Sequence, residues 1–535
     1  MGQIKPVPHL EKRGQATQLI VDGKPYLILG GELHNASTSS LDYLKPKLPK
    51  LAAMNLNTVL AAVTWDLMEP KEGRFDFTLV DGLLKQARAN KLHVVLLWFG
   101  SWKNGLSHYA PDWVKADFNR FPRVKLASGK AIETITPLCT AAMDADAKAY
   151  AALMKHIKAL DSKDRTVIMM QMENEVGVIG DSRDRSAMAD SAFAKAVPPG
   201  LMASLQAHKA ELQPKLAKLW EAAGSKTSGT WEEVFGKSPT TDEIFMAWNY
   251  ARYMNAVTAA GKAQYTLPTY VNAWIVQPED NGPGDYPAGG PQSHVHDVWR
   301  AGAPMIDMFS PDIYLPDFKG ITAMYHHSWN PLFIPESFAD TVGAANVYYA
   351  IGKYNAIGYS PFGIDGERAP ANPFNAILPK TYKVLSGMAP VILDAQSKGN
   401  MTAVILNKDN PVEKITMGGY NIEINLRRTR YGASTLKTAY GLIISSGPDE
   451  FILSGVNLEF TFKPATPGPQ TAGFASVYEG VYENGVWKPG RKLNGDNIML
   501  SYKLANEAAV NQTGSVARFE SANPEVLKVK LYRFE

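Results

Sequence analysis

The stretch TVIMMQMENE, residues 166–175, indicates the fold of the first two-thirds of the chain. Its residues are almost all apolar until the last three, which are Glu173, Asn174 and Glu175. An apolar run without alternation predicts a strand covered on both faces, as in a parallel sheet flanked by helices. The three polar residues then stand at the carboxyl end of this strand, where such folds place their functional sites.

The same pattern recurs along the chain, and segments with helical spacing separate the runs. The other strand candidates are residues 25–34, 57–65, 92–100, 269–274, 304–314, 331–338 and 355–365. Eight such strands alternating with helices predict an α/β fold, a (β/α)8 barrel over residues 1–387. Residues 178–245 are too long for one crossover helix and predict a helical insertion. A doubly wound open sheet is the alternative, but no GxGxxG follows an early strand.

Residues 388–535 have an all-β pattern of short apolar or alternating runs, punctuated by Gly, Asn and Asp turns. The strand candidates begin with PVILDA, residues 390–395, and end with LKVKLY, residues 527–532. Many short strands with such turns predict a β-sandwich domain, jelly-roll-like in topology.

Composition excludes several classes of protein. The 535 residues hold 55 Lys and Arg against 52 Asp and Glu, a net charge of +3, which gives no footprint for nucleic acid. Cys139 is the sole cysteine, so an internal disulfide and a cysteine-based zinc site are excluded. No run of 18 apolar residues predicts a membrane span. The sequence leaves open a cytoplasmic, periplasmic or secreted location, and a monomer or a homo-oligomer.

The residues that close the predicted barrel strands are acidic, amide and aromatic. Such a set suits carbohydrate chemistry, because carboxyls transfer protons, amides bond hydroxyls and aromatic rings cover sugar C–H faces. The members are Glu32, His34, Trp65, Asp66, Trp98, Asn104, Glu173, Asn174, Glu175, Asn272, Trp274, Asp312, Tyr314 and Glu336.

Glu175 and Glu336 are the candidates for a catalytic pair. Hydrolysis of a glycosidic bond needs one carboxyl to protonate the leaving oxygen and another to act at the anomeric carbon. The two glutamates close strands four and seven, which lie on opposite sides of a barrel mouth. The alternative for each is structural, capping its strand or pairing with an Arg or Lys.

The segment Gln171–Gly177 resembles the strand-four signature of retaining glycoside hydrolases of clan A. The resemblance is closest to the β-galactosidases of family 35, with family 42 next, and it covers residues 20–370. It implies that Glu175 is the acid/base, that Glu336 is the nucleophile and that Asn174 bonds the sugar 2-hydroxyl. The other matching motifs, in chain order, are GGELH (30–34), WDLMEP (65–70), PDW (111–113), DIY (312–314) and PESF (335–338).

The chain departs from the family 35 pattern at two places. Ala62 stands where that family usually has a tyrosine that helps to hold galactose. Residues 99–104, Phe-Gly-Ser-Trp-Lys-Asn, replace its Asn-Ala-Glu loop. Both departures concern the sugar contacts and leave the catalytic pair unaffected.

Further substrate contacts are expected from Tyr314, His34, Trp65, Asn104 and Trp274. Tyr314 could bond the Glu336 carboxylate, and the tryptophans could stack on a sugar. The alternative for His34 and both tryptophans is core packing.

The pleat of strand four poses a problem for Asn174. Strict alternation puts Asn174 and Glu175 on opposite faces, so they share a site only if the pleat breaks at the rim. Glu173 is expected to be structural, buried in the barrel and hydrogen-bonded.

The pair His294 and His296, with Asp297, is the only pattern that suggests a metal. No further ligands stand out near it, so we expect neither a metal nor another cofactor.

The predicted function is that of a retaining exo-β-glycosidase, foremost a β-galactosidase that removes terminal β-galactose from oligo- or polysaccharides by double displacement. One alternative keeps the fold and changes the sugar to a β-glucoside, a β-fucoside or an α-arabinopyranoside. Another is a non-catalytic carbohydrate-binding protein. A barrel isomerase or aldolase is the last; such sites usually carry a Schiff-base lysine or a metal, and no lysine closes a predicted barrel strand.

Overall fold

The computed structural model describes residues 6–366, 374–427, 438–501, 513–519 and 521–535. Eight parallel strands form the first part, and strands consecutive in sequence are neighbours in the sheet. A parallel bridge between Ile334 and Tyr359 joins the two ends of the sheet. The predicted (β/α)8 barrel is therefore confirmed. Its strands are Ile28–Glu32, Thr58–Thr64, His93–Lys103, Val167–Asn174, Thr269–Trp274, Met308–Ile313, Glu336–Ser337 and Gly358–Tyr359.

Helices cover the outer face of the barrel. Thr78–Ala89 shows why they form, since it buries Val80, Leu83, Leu84 and Ala87 along one stripe. The long helix Pro239–Lys262 begins with proline at its first turn, and the Ser238 hydroxyl caps it by accepting from the Thr241 N–H. The other long covering helices are Thr140–Asp161, Thr341–Tyr354 and Phe374–Lys398. The shorter ones are Leu41–Leu44, Lys47–Ala53, Trp65–Met68, Asp112–Ala116, His296–Gly302 and Phe318–Tyr325.

The segment after the fourth strand holds four short helices before Pro239–Lys262. Their bounds are Ala187–Phe193, Pro199–Ala207, Pro214–Ala222 and Trp231–Phe235. Among the described residues, no helix has the length and apolar character needed to cross a membrane.

The interior of the barrel is a packed apolar core at its amino-terminal end. Leu60, Val95, Met169 and Tyr270 belong to one buried cluster there. Leu19 joins it from the N-terminal antiparallel sheet, whose strands are His9–Arg13, Ala16–Val21 and Lys24–Tyr26. With that end filled, a ligand can enter only from the carboxyl ends of the strands, where the polar residues stand.

The C-terminal part consists of two antiparallel sheets that share one apolar core. The six-stranded sheet has the order Met401–Asn407, Thr438–Gly447, Glu450–Val456, Glu525–Phe534, Thr471–Glu483 and Val486–Leu493. The four-stranded sheet has the order Val412–Met417, Tyr420–Leu426, Leu458–Pro464 and Ala517–Arg518. A two-stranded pair, Met499–Ser501 with Thr513–Ser515, completes it. The predicted all-β character is confirmed.

The prediction of a strand over residues 390–395 is wrong. These residues lie within the helix Phe374–Lys398, and the first strand of the C-terminal sheets begins at Met401. Leu378, Tyr382, Leu385, Met388 and Ile392 are buried and recur every three or four residues, so the apolar run continues a helical stripe. The boundary expected at residue 387 therefore falls inside a helix.

The barrel and the C-terminal sheets share a continuous apolar core. The helix Thr341–Tyr354 packs against strands Met401–Asn407 and Thr438–Gly447. Leu442 is fully buried in the cluster that also contains the barrel helices. The Tyr348 hydroxyl lies 3.0 Å from the Ser454 hydroxyl. We therefore expect the two parts to unfold as one cooperative unit.

The Leu442→Asp variant is expected to lower the unfolding free energy of the whole chain by about 3 kcal/mol or more, because it buries an unpaired charge between the two parts. Thermal unfolding should remain a single transition, and the barrel should lose activity at the same lowered temperature. Val486→Asp, at a side chain that is 57% exposed, is the control and should melt like the wild type. If Leu442→Asp left the inactivation temperature of the barrel unchanged, the two parts would be independent.

Candidate active site

The backbone at the end of the fourth strand breaks the pleat on both sides of Asn174. Glu173 has a φ of 54° and Glu175 a φ of 45°, both in the left-handed region. The pairing with the third strand also shifts here, from Trp98 opposite Met172 to Lys103 opposite Asn174. The break that a site shared by Asn174 and Glu175 requires is therefore present, although strand alternation alone favours Asn174 facing the helices. Left-handed residues other than glycine cost about 1–2 kcal/mol each, so the surroundings must hold this conformation.

Glu173 supplies part of that support. It is fully buried, and its carboxyl accepts the backbone N–H groups of Gly100, Ser101 and Trp102 at 2.9, 2.9 and 2.8 Å. Burial, and then the neighbouring Asp146, raise the pKa of Glu173 well above its ordinary value. The structural role expected for Glu173 is confirmed, since it ties the end of the third strand to the fourth.

Glu336 lies in the seventh strand, in register with Asp312 of the sixth. The Tyr314 hydroxyl donates to its Oε2 at 2.7 Å, and the Asn174 Nδ2 donates to its Oε1 at 3.2 Å. The Asn272 Nδ2 lies 3.5 Å from the same Oε1. Burial, and then the charge of Glu336, raise the pKa of Tyr314 far above its ordinary value, so the hydroxyl keeps its proton and donates. Three donors thus orient the Glu336 carboxyl.

Glu175 is nearly buried, with 7% of its surface exposed. Burial, and then the charge of Glu336, raise its pKa to about 7, while the charge of Lys103 acts in the opposite direction. Its backbone N–H donates to the Asn272 Oδ1 at 3.1 Å, which anchors the left-handed residue. A carboxyl that holds its proton near neutral pH can serve as a general acid.

Asn272 and Asp312 are site residues whose roles the sequence did not reveal. The Asn272 Nδ2 donates to the Asp312 Oδ2 at 2.7 Å, so this one amide contacts Asp312, Glu336 and the Glu175 backbone. Burial, and then the charges of Glu336 and Glu175, raise the pKa of Asp312 well above its ordinary value. Both residues close predicted strands, and that position was the signal available in the sequence. A strand-end position does not show whether a side chain contacts the other site residues or only lies near them.

A cavity of about 470 Å³ opens beside these carboxyls, a volume within the range of small-molecule sites. Its lining combines carboxyls, amides and aromatic rings. The residues that line it are Asn35, Lys103, Asn104, Glu175, Trp274, Ile275, Gln277, Asp312, Tyr314, Leu315, Glu336 and Phe362. The structure therefore brings together five of the expected site residues at the cavity wall: Glu175, Glu336, Tyr314, Asn104 and Trp274.

His34 lies outside this lining. Its Nδ1 is 2.9 Å from the Oδ1 of the buried Asp365, and half of its side chain is exposed. Its ring meets the edge of Phe362, which does line the cavity. His34 thus contacts the cavity wall from behind and is not a packed core residue.

Trp65 does not reach the cavity, which corrects the expectation that it stacks on a sugar. Its side chain is fully buried, its Nε1–H donates to the Glu69 Oε2 at 2.7 Å, and its ring packs edge-on against Trp113. The short helix Trp65–Met68 begins at this residue and turns the side chain into the core outside the barrel.

Lys103 corrects the expectation that no lysine closes a barrel strand. The third strand runs to Lys103, three residues beyond its predicted end. The Lys103 Nζ donates to the Asn174 Oδ1 at 2.8 Å. Lys103 therefore lines the cavity together with Glu175 and Glu336.

The histidine pair offers no metal site. The His294 Nε2 lies 2.8 Å from the Glu243 Oε2, whereas His296 is fully buried against Tyr325. The Asp297 Oδ2 accepts the Gln213 N–H. Within the described parts of the chain, no cluster of three or more His, Cys, Asp or Glu could hold a metal ion.

Comparisons with known proteins return glycoside hydrolases. The beta-galactosidase of Xanthomonas manihotis is 34% identical over 189 residues, which cover 33% of this chain and 28% of that protein. The exo-beta-D-glucosaminidase of Thermococcus kodakarensis is 34% identical over 107 residues, which cover 18% of this chain and 13% of that protein. The chain thus spans less than a third of the length of these relatives. A crystal structure of beta-galactosidase from Bacillus circulans sp. alkalophilus has a TM-score of 0.47 at 14% identity, over 69% of this chain and 57% of that one.

Two family models match separate parts of the chain. A domain of unknown function, DUF5597, matches residues 378–503, which include most of the C-terminal sheets. Of the two families named from the motifs, family 42 is the one with a matching model, and the resemblance to family 35 stays a prediction. The model of glycoside hydrolase family 42, described as beta-galactosidase, matches residues 41–264, which hold the second, third and fourth barrel strands and Glu175.

Proposed function

We propose that the protein is a retaining exo-β-glycosidase that hydrolyses terminal β-galactosides. One observation carries the proposal. A glutamate oriented by three donors, Glu336, and a glutamate that holds its proton near neutral pH, Glu175, line the same cavity at the mouth of the barrel. This is the division of roles that a double displacement requires.

In the first step the Glu336 carboxylate attacks the anomeric carbon, and an ester bond forms as the glycosidic C–O bond breaks. Glu175 gives its proton to the departing oxygen. In the second step a water gives a proton to Glu175 and adds to the anomeric carbon, and the ester bond to Glu336 breaks. The released sugar keeps the β-configuration.

The interaction between the two glutamates supports this exchange of roles. The charge of Glu336 is one cause of the raised pKa of Glu175. That charge is absent while Glu336 is esterified, so the pKa of Glu175 falls in the intermediate. Glu175 is thus an acid when the leaving group needs a proton and a base when water arrives.

The choice of galactose rests on the Xanthomonas manihotis relative and on the family 42 model, both described as beta-galactosidase. Ala62, in the place of the tyrosine expected for family 35, is buried in the barrel core and offers no hydroxyl to a sugar. Asn104 and Trp274 line the cavity and are the proposed sugar contacts in its place. The volume of the cavity, about 470 Å³, is large enough for a terminal sugar.

A panel of nitrophenyl glycosides tests the proposal. We expect kcat/KM to be highest for the β-galactoside, compared with the β-glucoside, β-fucoside, α-arabinopyranoside and β-glucosaminide. Hydrolysis of another member in preference to galactoside would reassign the sugar and keep the mechanism. Turnover no higher than in Glu336→Gln for every member would favour a carbohydrate-binding protein without activity.

A further inference from the structure

Lys103 is held in place by the backbone around it. The strand residues that precede it, 100–102, are fixed by their three N–H groups, which Glu173 accepts. The residue that follows it donates its backbone N–H to the Asn174 carbonyl at 3.0 Å, and Gly105 donates to the Glu175 carbonyl at 3.1 Å. The ends of the third and fourth strands are thus joined on both sides of Lys103, which limits where its side chain can reach.

The ammonium of Lys103 and the carboxyl of Glu336 hold the Asn174 amide from its two ends. An ammonium can only donate, so the amide oxygen points to the Lys103 Nζ, at 2.8 Å. The amide NH2 points the other way and donates to the Glu336 Oε1 at 3.2 Å. Without the lysine, the amide would be held by Glu336 alone, and its oxygen would lose the donor that fixes the position of the side chain.

Lys103 also lies among carboxyls. Glu175, Asp312 and Glu336 line the cavity with it, and Glu32 is fully buried nearby. Among the described residues of the lining, Lys103 is the single cation. Its charge opposes the mutual repulsion that these carboxyls exert on Glu175 and on Glu32.

We infer that Lys103 is a positioning residue for Asn174, which keeps the amide NH2 placed to donate to the Glu336 carboxyl that attacks the sugar. The inference rests on the proposed function. Lys103 belongs to residues 99–104, which replace the Asn-Ala-Glu loop expected for family 35, so this segment has a role in the site. Lys103 acts through Asn174 and need not touch the substrate.

A double-mutant cycle on dinitrophenyl β-galactoside tests the inference, since this substrate is reactive enough for weakened variants to be measured. Lys103→Met is expected to lower kcat/KM about 10–100-fold, as losses of residues that orient a site residue do. In an Asn174→Ala background the same change should cost less than about threefold, because the residue it acts through is gone. Lys103→Arg, which keeps the charge and the donors, should retain most of the activity.

Lys319→Met is the matched control. Lys319 is also half-buried, and its Nζ makes a single hydrogen bond, to the Ile405 carbonyl at 2.9 Å, away from the cavity. Equal losses from Lys103→Met in both backgrounds, or no loss in either, would overturn the inference. Absence of turnover in the wild type would instead refute the proposed function. A crystal structure of Lys103→Met gives a readout without turnover, and an Asn174 side chain that keeps its wild-type position there would also overturn the inference.

The pH profile tests the place of the ammonium separately from its contact with Asn174. The wild-type kcat/KM should fall as the pH rises through about 7, where Glu175 loses its proton. Lys103 lowers the pKa of Glu175, while Glu336 raises it. Lys103→Met removes the charge, so the falling limb of its pH profile should move to higher pH. Lys103→Arg keeps the charge, so its limb should stay in place. A limb that does not move in Lys103→Met would contradict the close placement of the ammonium.

Discussion

The Glu336→Gln variant is expected to lose activity toward every β-glycoside by about 10⁴-fold or more, the loss typical of removing a nucleophile. Glutamine has nearly the same shape but cannot form the ester with the anomeric carbon. Tyr314 and Asn174, which donate to the carboxyl at 2.7 and 3.2 Å, would then face an amide. Steady-state kinetics on nitrophenyl β-galactoside measure the loss.

Glu243→Gln is the control for this substitution. Glu243 is also fully buried, and its carboxyl contacts the His294 ring and the Tyr286 hydroxyl, outside the cavity lining. Both contacts are to Oε2, and the amide oxygen of glutamine can take its place, so the variant should fold and retain turnover. A comparable loss in Glu243→Gln would mean that any change at a buried glutamate damages the fold.

The role of Glu336 has two further consequences. A 2-fluoro galactosyl inhibitor should become covalently attached to Glu336, as peptide mass spectrometry would show. Proton NMR of the early reaction should detect the β-anomer of the sugar first. An initial α-anomer would mean inversion, and Glu336 would then act as a base on water with the carboxyls farther apart, at about 6.5–9.5 Å.

The barrel and the place of Glu175 and Glu336 at its mouth could be predicted because two strong signals coincide in them. Apolar runs such as residues 166–175 are long enough to identify strands, and the parallel fold then places every strand end at one mouth. This order gives a set of strand-end residues, and the resemblance to clan A singles out Glu175 and Glu336 among them. The break at Asn174 could be inferred as a requirement, although the two left-handed residues that make it are visible only in the structure.

The remaining errors come from features that depend on packing and not on local pattern. Trp65 closes an apolar run, but a helix starts at that residue and turns the ring into the outer core. Lys103 lies three residues past the predicted strand end, because Glu173 holds the polar segment before it in strand conformation. Residues 390–395 look like a strand on their own and complete a helical stripe only when residues 378–388 are included.

The Glu175→Ala variant is expected to discriminate between substrates by their leaving groups. General acid catalysis contributes about 10²–10⁴-fold, and the contribution matters most when the departing oxygen is a strong base. The variant should therefore keep the first step on dinitrophenyl β-galactoside and lose it on a galactose-containing disaccharide. The second step, which needs Glu175 as a base, should become slow for both substrates.

Azide should restore turnover of dinitrophenyl β-galactoside in this variant. The small anion can occupy the space left by the carboxyl and attack the ester at Glu336 without a base, so the product should be a β-galactosyl azide. Wild-type enzyme, in which the Glu175 side chain fills that space, should form none. The measurement is the rate with and without azide, together with mass spectrometry of the product.

Asp312 is the rival for the role of acid, because burial and then the neighbouring carboxylates raise its pKa well above the ordinary value too. Its position argues against that role, since its Oδ2 accepts from the Asn272 Nδ2 at 2.7 Å and only 2% of the residue is exposed, compared with 7% for Glu175. Asp312→Asn should therefore weaken hydrolysis of the aryl galactoside and the disaccharide by similar factors, and azide should not restore either. Asp312 would be the acid in place of Glu175 if two results were found together. Asp312→Asn would have to lose activity only on the disaccharide, and Glu175→Ala would have to lose it equally on both substrates.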